Sequence, residues 1–260
     1  MSTLDATRLA EGLHEQTGGL ADAVDGRDPS GPVPTCPEWR LWNLVGHVGQ
    51  AHRWAAELVR EREAPPVPDP LKADPGPPAD WAAWLRDGAD ELAGAVEKTG
   101  PDTAVTTFLG LLPASFWLRR MLHDTAVHHA DAAIAAGVPF TIAPDLAADA
   151  LSEWFGLIAS PGAEAINPRL AVLRGRGETL AVRPAGGAAP GWLITRTPEG
   201  PRWEREGDGR DADAGATVTV TAPLRELLLV VYRRSSPEEA GAEVSGDRSV
   251  LDHWLANTAF

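Results

Sequence analysis

A change of hydrophobic period near Gly162 limits what this chain can become. Before it, apolar residues return at intervals of three and four over long stretches, the period of helices with one buried face. After it, apolar runs are short, partly alternating and separated by Gly and Pro, as in strands. Helical faces must pack on helices and alternating faces on a sheet. One such switch therefore predicts an α+β protein, with a helix bundle over residues 1–160 and a smaller α+β domain over 161–260.

The helical part divides at its loops. Leu9, Leu13, Leu20 and Val24 mark a helix over Leu4–Val24, weakened in the middle by Gly18 and Gly19. In TCPEWRLWNLVGHVGQAHRWAAELVR, Thr35 and Glu38 have capping-box spacing and Pro37 falls in the first turn, which predicts a helix from there to about Glu63. Further helices are expected over Asp80–Lys98, Pro113–Ala136 and Pro144–Ile158. Beyond the switch, RLAVLRG, TLAVRPA, GWLITRTP, PRWEREG and ATVTVTAP read as strands, and LRELLLVVYRR and SVLDHWLANTAF as helices.

Composition narrows the function classes. The formal net charge is −14, opposite to what non-specific nucleic-acid binding requires. The single cysteine, Cys36, excludes an intramolecular disulfide. No basic region followed by an apolar run opens the chain, and no segment reaches the ~18 apolar residues of a membrane span. A cytoplasmic protein without membrane contact is expected, and nothing demands a partner chain, so a monomer is expected. Arg outnumbers Lys 21 to 2, and Ala, Gly and Pro are abundant, as in proteins from GC-rich genomes such as those of actinomycetes.

The chemistry-bearing stretch is RRMLHDTAVHHADA, Arg119–Ala132, which holds three of the seven histidines. Asp124 and His128 lie about 40° apart on one helix face. That spacing suits a shared divalent metal and equally an ion pair on a solvated face. A third ligand would have to come from a facing helix. His47 is the best candidate, set among Leu44, Val45 and Val48 with Gly46 and Gly49 beside it. His52, His123 and His129 are expected behind the ligands or at the surface, and His14 and His253 as background. Cys36, in a rigid turn before Pro37, is expected to be structural. No G-x-S-x-G, P-loop or dinucleotide fingerprint occurs.

TCPEWRLWNLVGHVGQAHRWA resembles the first signature of the mycothiol-dependent maleylpyruvate isomerase family, and RRMLHDTAVHHADA resembles the second, R-x-x-H-E-x-x-V-H-R-x-D-A. The tail from ATVTVTAPLRELLLVVYRR onward resembles the family's C-terminal domain. The resemblance implies a DinB-like four-helix bundle carrying a divalent metal, zinc in the isomerase, held by His47, Asp124 and His128. The usual Glu is Asp124 here, one methylene shorter. The resemblance also implies an external low-molecular-weight thiol, mycothiol, that adds to a conjugated double bond of a small-molecule substrate and leaves again after rotation. Arg233 and Arg234 would hold substrate carboxylates, or else cap a helix C-terminus. The expected function is a metal-dependent, mycothiol-using isomerase or S-transferase. The alternatives are a metal-dependent detoxifying enzyme with another thiol or none, and a non-enzymatic binding protein with a decayed metal site.

Overall fold

The computed structural model describes residues 4–62, 66–187, 189–206 and 215–258. Residue contacts divide the chain between Ile142 and Ala143 into two units.

The first unit holds four long helices, α1 (Ala6–Val24), α2 (Leu41–Glu61), α3 (Trp81–Thr99) and α4 (Ser115–Ala136). α1 packs on α3 and α4, and α2 on α3 and α4. Leu20, Val24, Leu44, Val45, Val48, Trp81, Leu85 and Ala132 meet in one apolar cluster. α1, α2 and α3 present i, i+3, i+4 stripes to that core, which is why the period in the sequence locates them. Asp5 caps α1, accepting from the Arg8 N–H at 2.8 Å. Gly137 ends α4 in the left-handed conformation, with φ 68°.

Two features of this unit depart from expectation. α2 begins at Leu41 rather than at Thr35. Residues 33–39 form a closed turn instead: Val33 N–H donates to the Trp39 carbonyl, and Trp39 N–H to that of Cys36. The helix takes its cap from Asn43, whose Oδ1 accepts from the Arg40 N–H at 3.0 Å. Second, a hairpin of β1 (Ala104–Thr107) and β2 (Gly110–Pro113) stands between α3 and α4. Trp117 ties it to α4 by donating its indole N–H to the Thr106 carbonyl at 2.9 Å.

The second unit starts with α5 (Pro144–Ile158), which the period alone would leave in the bundle with a boundary near residue 160. Its partners explain the difference. Ser152 on α5 accepts from the Trp192 indole at 2.9 Å, and the Ala150 carbonyl accepts from the Tyr232 hydroxyl at 3.2 Å. After a short α6 (Ala163–Ile166) come β3 (Thr179–Pro184), β4 (Trp192–Thr197), β5 (Gly200–Arg205), β6 (Val218–Ala222), α7 (Leu224–Val231), β7 (Glu243–Gly246) and α8 (Arg248–Asn257). The sheet order is β5-β4-β3-β6-β7. Only β3 and β6 run parallel among these neighbours. RLAVLRG is not a strand: Pro168–Leu173 forms a 3-10 helix, capped by Asn167 and burying Leu170 and Leu173, three residues apart. β7 carries too little apolar pattern to be visible in sequence, since most of its residues are exposed.

Candidate metal centre

Every residue of α4 from Arg120 to Ala133 is buried. A helix enclosed all round should be apolar, yet this one carries Arg120, His123, Asp124, Thr125, His128, His129 and Asp131. Buried polar and charged groups are costly without partners, so these side chains must satisfy one another or a ligand.

Asp124, His128 and His47 converge. The His47 Nε2 lies 3.4 Å from Asp124 Oδ2, and the His128 Nε2 lies 3.9 Å from the same oxygen. One donor atom from each of the three falls within 4.8 Å of the other two. The reading of Asp124 and His128 as an ion pair on a solvated face is therefore excluded, because both are buried. His47 reaches them from α2, where buried Gly46 and Gly49 give the helix close approach to its neighbours: a Cβ at Gly46 would meet Ala73 and one at Gly49 the Trp84 ring.

A second layer holds the three. Arg120, one turn before Asp124, donates to Asp124 Oδ1 at 3.1 Å, leaving Oδ2 toward the histidines. Burial pushes the Asp124 carboxyl up, but the hydrogen bond from His47 and the charges of His128, His47 and Arg120 outweigh it and hold the group well below the usual carboxylate range. Asp131, fully buried, lies 2.8 Å from His128 Nδ1. Trp39 covers the pair of imidazoles, with centroid separations of 5.0 Å to His47 and 5.4 Å to His128. Arg120, Asp131, Thr35 and Trp39 were not evident as site residues from the pattern of likely ligands. The i, i+3 spacing of His128 and Asp131 in HHADA was the one available sign.

The other histidines are not at the surface as a group. His52 is buried and donates from Nε2 to the Thr125 hydroxyl at 2.7 Å, that hydroxyl donating in turn to the Met121 carbonyl. His129 is buried and donates from Nδ1 to Gln16 Oε1 at 2.9 Å. Burial lowers both imidazoles to about 4, against partial opposition from the charges of Asp124 and Asp22 respectively. His123 is likewise enclosed. His14 pairs with Asp90 in solvent and His253 with the Val172 carbonyl. Cys36 packs on the apolar core, as a structural role requires, and its thiol donates to Asp131 at 3.6 Å.

Arg233 and Arg234 follow α7 in the second unit. Arg233 is exposed with φ 61°, and Arg234 donates from its guanidinium to the Tyr232 carbonyl at 2.8 Å, a C-terminal capping contact.

The donor set fits a divalent metal. Ligand atoms about 2.0–2.1 Å from a tetrahedral zinc stand about 3.4 Å from one another, close to the 3.4 and 3.9 Å from Asp124 Oδ2 to His47 and His128. Two imidazoles and one carboxylate also leave a fourth position for a reacting ligand. A carboxylate accepts only, so the His128 Nδ1 facing Asp131 carries a proton, which leaves Nε2, on the Asp124 side, as the nitrogen a metal would take.

Family models match almost the whole chain: "Mycothiol maleylpyruvate isomerase N-terminal domain" at residues 10–133 and "MDMPI C-terminal domain" at 145–253. Among solved structures, the crystal structure of a mycothiol-dependent maleylpyruvate isomerase is similar, with TM-score 0.55, 15% identity and 93% of each chain covered. A histidine-to-alanine mutant of that isomerase gives TM-score 0.57 at the same identity and coverage. No curated protein sequence matches the chain.

Proposed function

The chain belongs to the mycothiol maleylpyruvate isomerase family, and from that premise we propose that it is a metal-dependent enzyme that uses a low-molecular-weight thiol, mycothiol by family, to isomerise or S-transfer to an activated small molecule. The observation that carries this reading is the convergence of His47, Asp124 and His128 from two helices, with a buried layer behind them.

His47, Asp124 and His128 would hold the divalent metal, zinc by donor chemistry. The metal would favour the thiolate form of a bound thiol, the nucleophilic form, and supply positive charge beside it. The protein's own side chains do the rest. Arg120 fixes the Asp124 carboxylate through Oδ1. Asp131 orients the His128 ring. Trp39 shields one side of the two imidazoles from water. The chain's single thiol, Cys36, is engaged with Asp131 rather than presented as a nucleophile, which suits a thiol supplied from outside. Arg233 is the residue offered for a substrate carboxylate, being exposed, whereas Arg234 has a capping contact to give up. Among the described residues no helix is long and apolar enough to cross a membrane.

The test is elemental analysis of wild type purified without added metal, beside Asp124→Glu, followed by turnover of activated double-bond substrates with and without mycothiol. Near-stoichiometric zinc and thiol-dependent turnover are expected. An empty wild type with a filled Asp124→Glu variant would instead favour a binding protein whose shortened carboxylate has lost the site. Metal with thiol-independent turnover would favour a different metal-dependent enzyme.

A further inference from the structure

Asp131 is a fully enclosed carboxylate in the first unit's polar interior. It collects donors from three places. The Thr35 hydroxyl donates to Oδ1 at 2.6 Å, the Cys36 thiol to Oδ2 at 3.6 Å, and His128 Nδ1 to Oδ2 at 2.8 Å. Thr35 and Cys36 belong to the closed turn that also presents Trp39 to the two imidazoles. The carboxylate thus lies behind His128, on the side away from Asp124, and joins it to that turn.

We infer that Asp131 is a positioning residue: it holds the Nδ1–H of His128, so that Nε2 is the nitrogen turned toward His47 and Asp124, and it anchors the Thr35–Trp39 turn over the same ring. The inference rests on the reading of His128 as a metal ligand. A carboxylate cannot donate, so the nitrogen that meets Asp131 carries a proton, and a metal has to take the other one. Carboxylates that receive the distal N–H of a ligating histidine raise its basicity and fix its ring plane. Thr35 contributes by occupying Oδ1, which leaves Oδ2 for the ring. The turn at 33–39 is therefore not a mere lead-in to α2. Its hydroxyl and indole act on a histidine 93 residues farther along the chain than Thr35.

The experiment measures the tautomer directly. In metal-free protein labelled with ¹⁵N in histidine, at neutral pH, long-range ¹H–¹⁵N correlations assign the protonated nitrogen of His128. Zinc affinity is then measured by chelator competition for wild type, Asp131→Asn and Thr35→Val, with far-UV circular dichroism to check folding. Wild-type His128 is expected to be protonated at Nδ1. Asp131→Asn, which replaces one acceptor with a donor, should mix the tautomers and weaken zinc binding roughly 10- to 100-fold. Thr35→Val keeps the carboxylate and should preserve the tautomer with a smaller loss of affinity. A wild-type Nδ1 that carries no proton, or a folded Asp131→Asn that binds zinc as tightly as wild type, overturns the inference. If Asp131→Asn does not fold, the wild-type tautomer and Thr35→Val decide. Failure of thiol-dependent turnover with the Nδ1 proton and zinc binding intact overturns the proposed function and leaves this role of Asp131 standing.

Discussion

Gly19 on α1 lies flat against the imidazole of His129 on α4: a Cβ at that glycine would come closer than 3.0 Å to three atoms of the ring. The ring cannot step aside, since Gln16 accepts from its Nδ1 and Phe140 packs on it edge to face at 4.9 Å. Gly18, its neighbour on the same helix, would present a Cβ to open space. The two substitutions to alanine should therefore have opposite signs. Gly18→Ala should stabilise by up to about 1 kcal/mol through helix propensity. Gly19→Ala should destabilise, because overpacking costs about 1–3 kcal/mol and outweighs the same propensity gain. Urea denaturation of the two variants checks the contrast.

His47→Ala should lose most bound metal and keep its helices. The side chain is only half-buried and contributes little to the apolar core around Val45 and Val48. Elemental analysis and far-UV circular dichroism report the two halves of this expectation. Full metal occupancy in the variant would remove His47 from the ligand set.

Asp124→Asn should be costly even without metal. It leaves the Arg120 guanidinium, itself buried, facing a neutral amide. Breaking one side of a buried pair costs about 3–5 kcal/mol, so the urea midpoint of the metal-free variant should fall well below that of metal-free wild type. An unchanged midpoint would mean that Arg120 finds equal compensation elsewhere.

Metal-free protein should lose stability as the pH falls from about 6.5 to about 4. His52 and His129 stay neutral in the folded protein down to about 4, whereas in the unfolded chain they take up protons near 6.5. Across that window the unfolded chain binds more protons, so acid favours unfolding; above it the contribution is fully present. His52 alone accounts for on the order of 3 kcal/mol by the size of its shift. Denaturant titrations at a series of pH values give the slope, and His129→Gln should reduce it. A flat profile would mean that these rings are protonated inside the fold.

Much of this was readable from local pattern. His47, Asp124 and His128 stood out because helical spacing puts Asp124 and His128 on one face, and because His47 sits in an apolar stretch that had to face inward. The long helices followed from the same period. What failed, failed where a distant partner decides. Thr35 has capping-box spacing, but its hydroxyl is taken by Asp131, so the helix waits until Leu41 and is capped by Asn43. α5 has an ordinary amphipathic period, and only its bonds to Trp192 and Tyr232 reveal which core it serves. RLAVLRG alternates like a strand, yet Asn167 and the pair Leu170 and Leu173 turn it into a 3-10 helix.

The placement of Cys36 gives the protein a reporter of its own. As the only thiol in the chain it can be labelled uniquely, and it stands in the turn that the buried carboxylate anchors. Cys36 is half-buried with its thiol on Asp131, so its modification rate under native conditions follows how tightly the turn beneath Trp39 is held. Metal or thiol that tightens the cluster would register as slower labelling at a residue neither of them needs to touch.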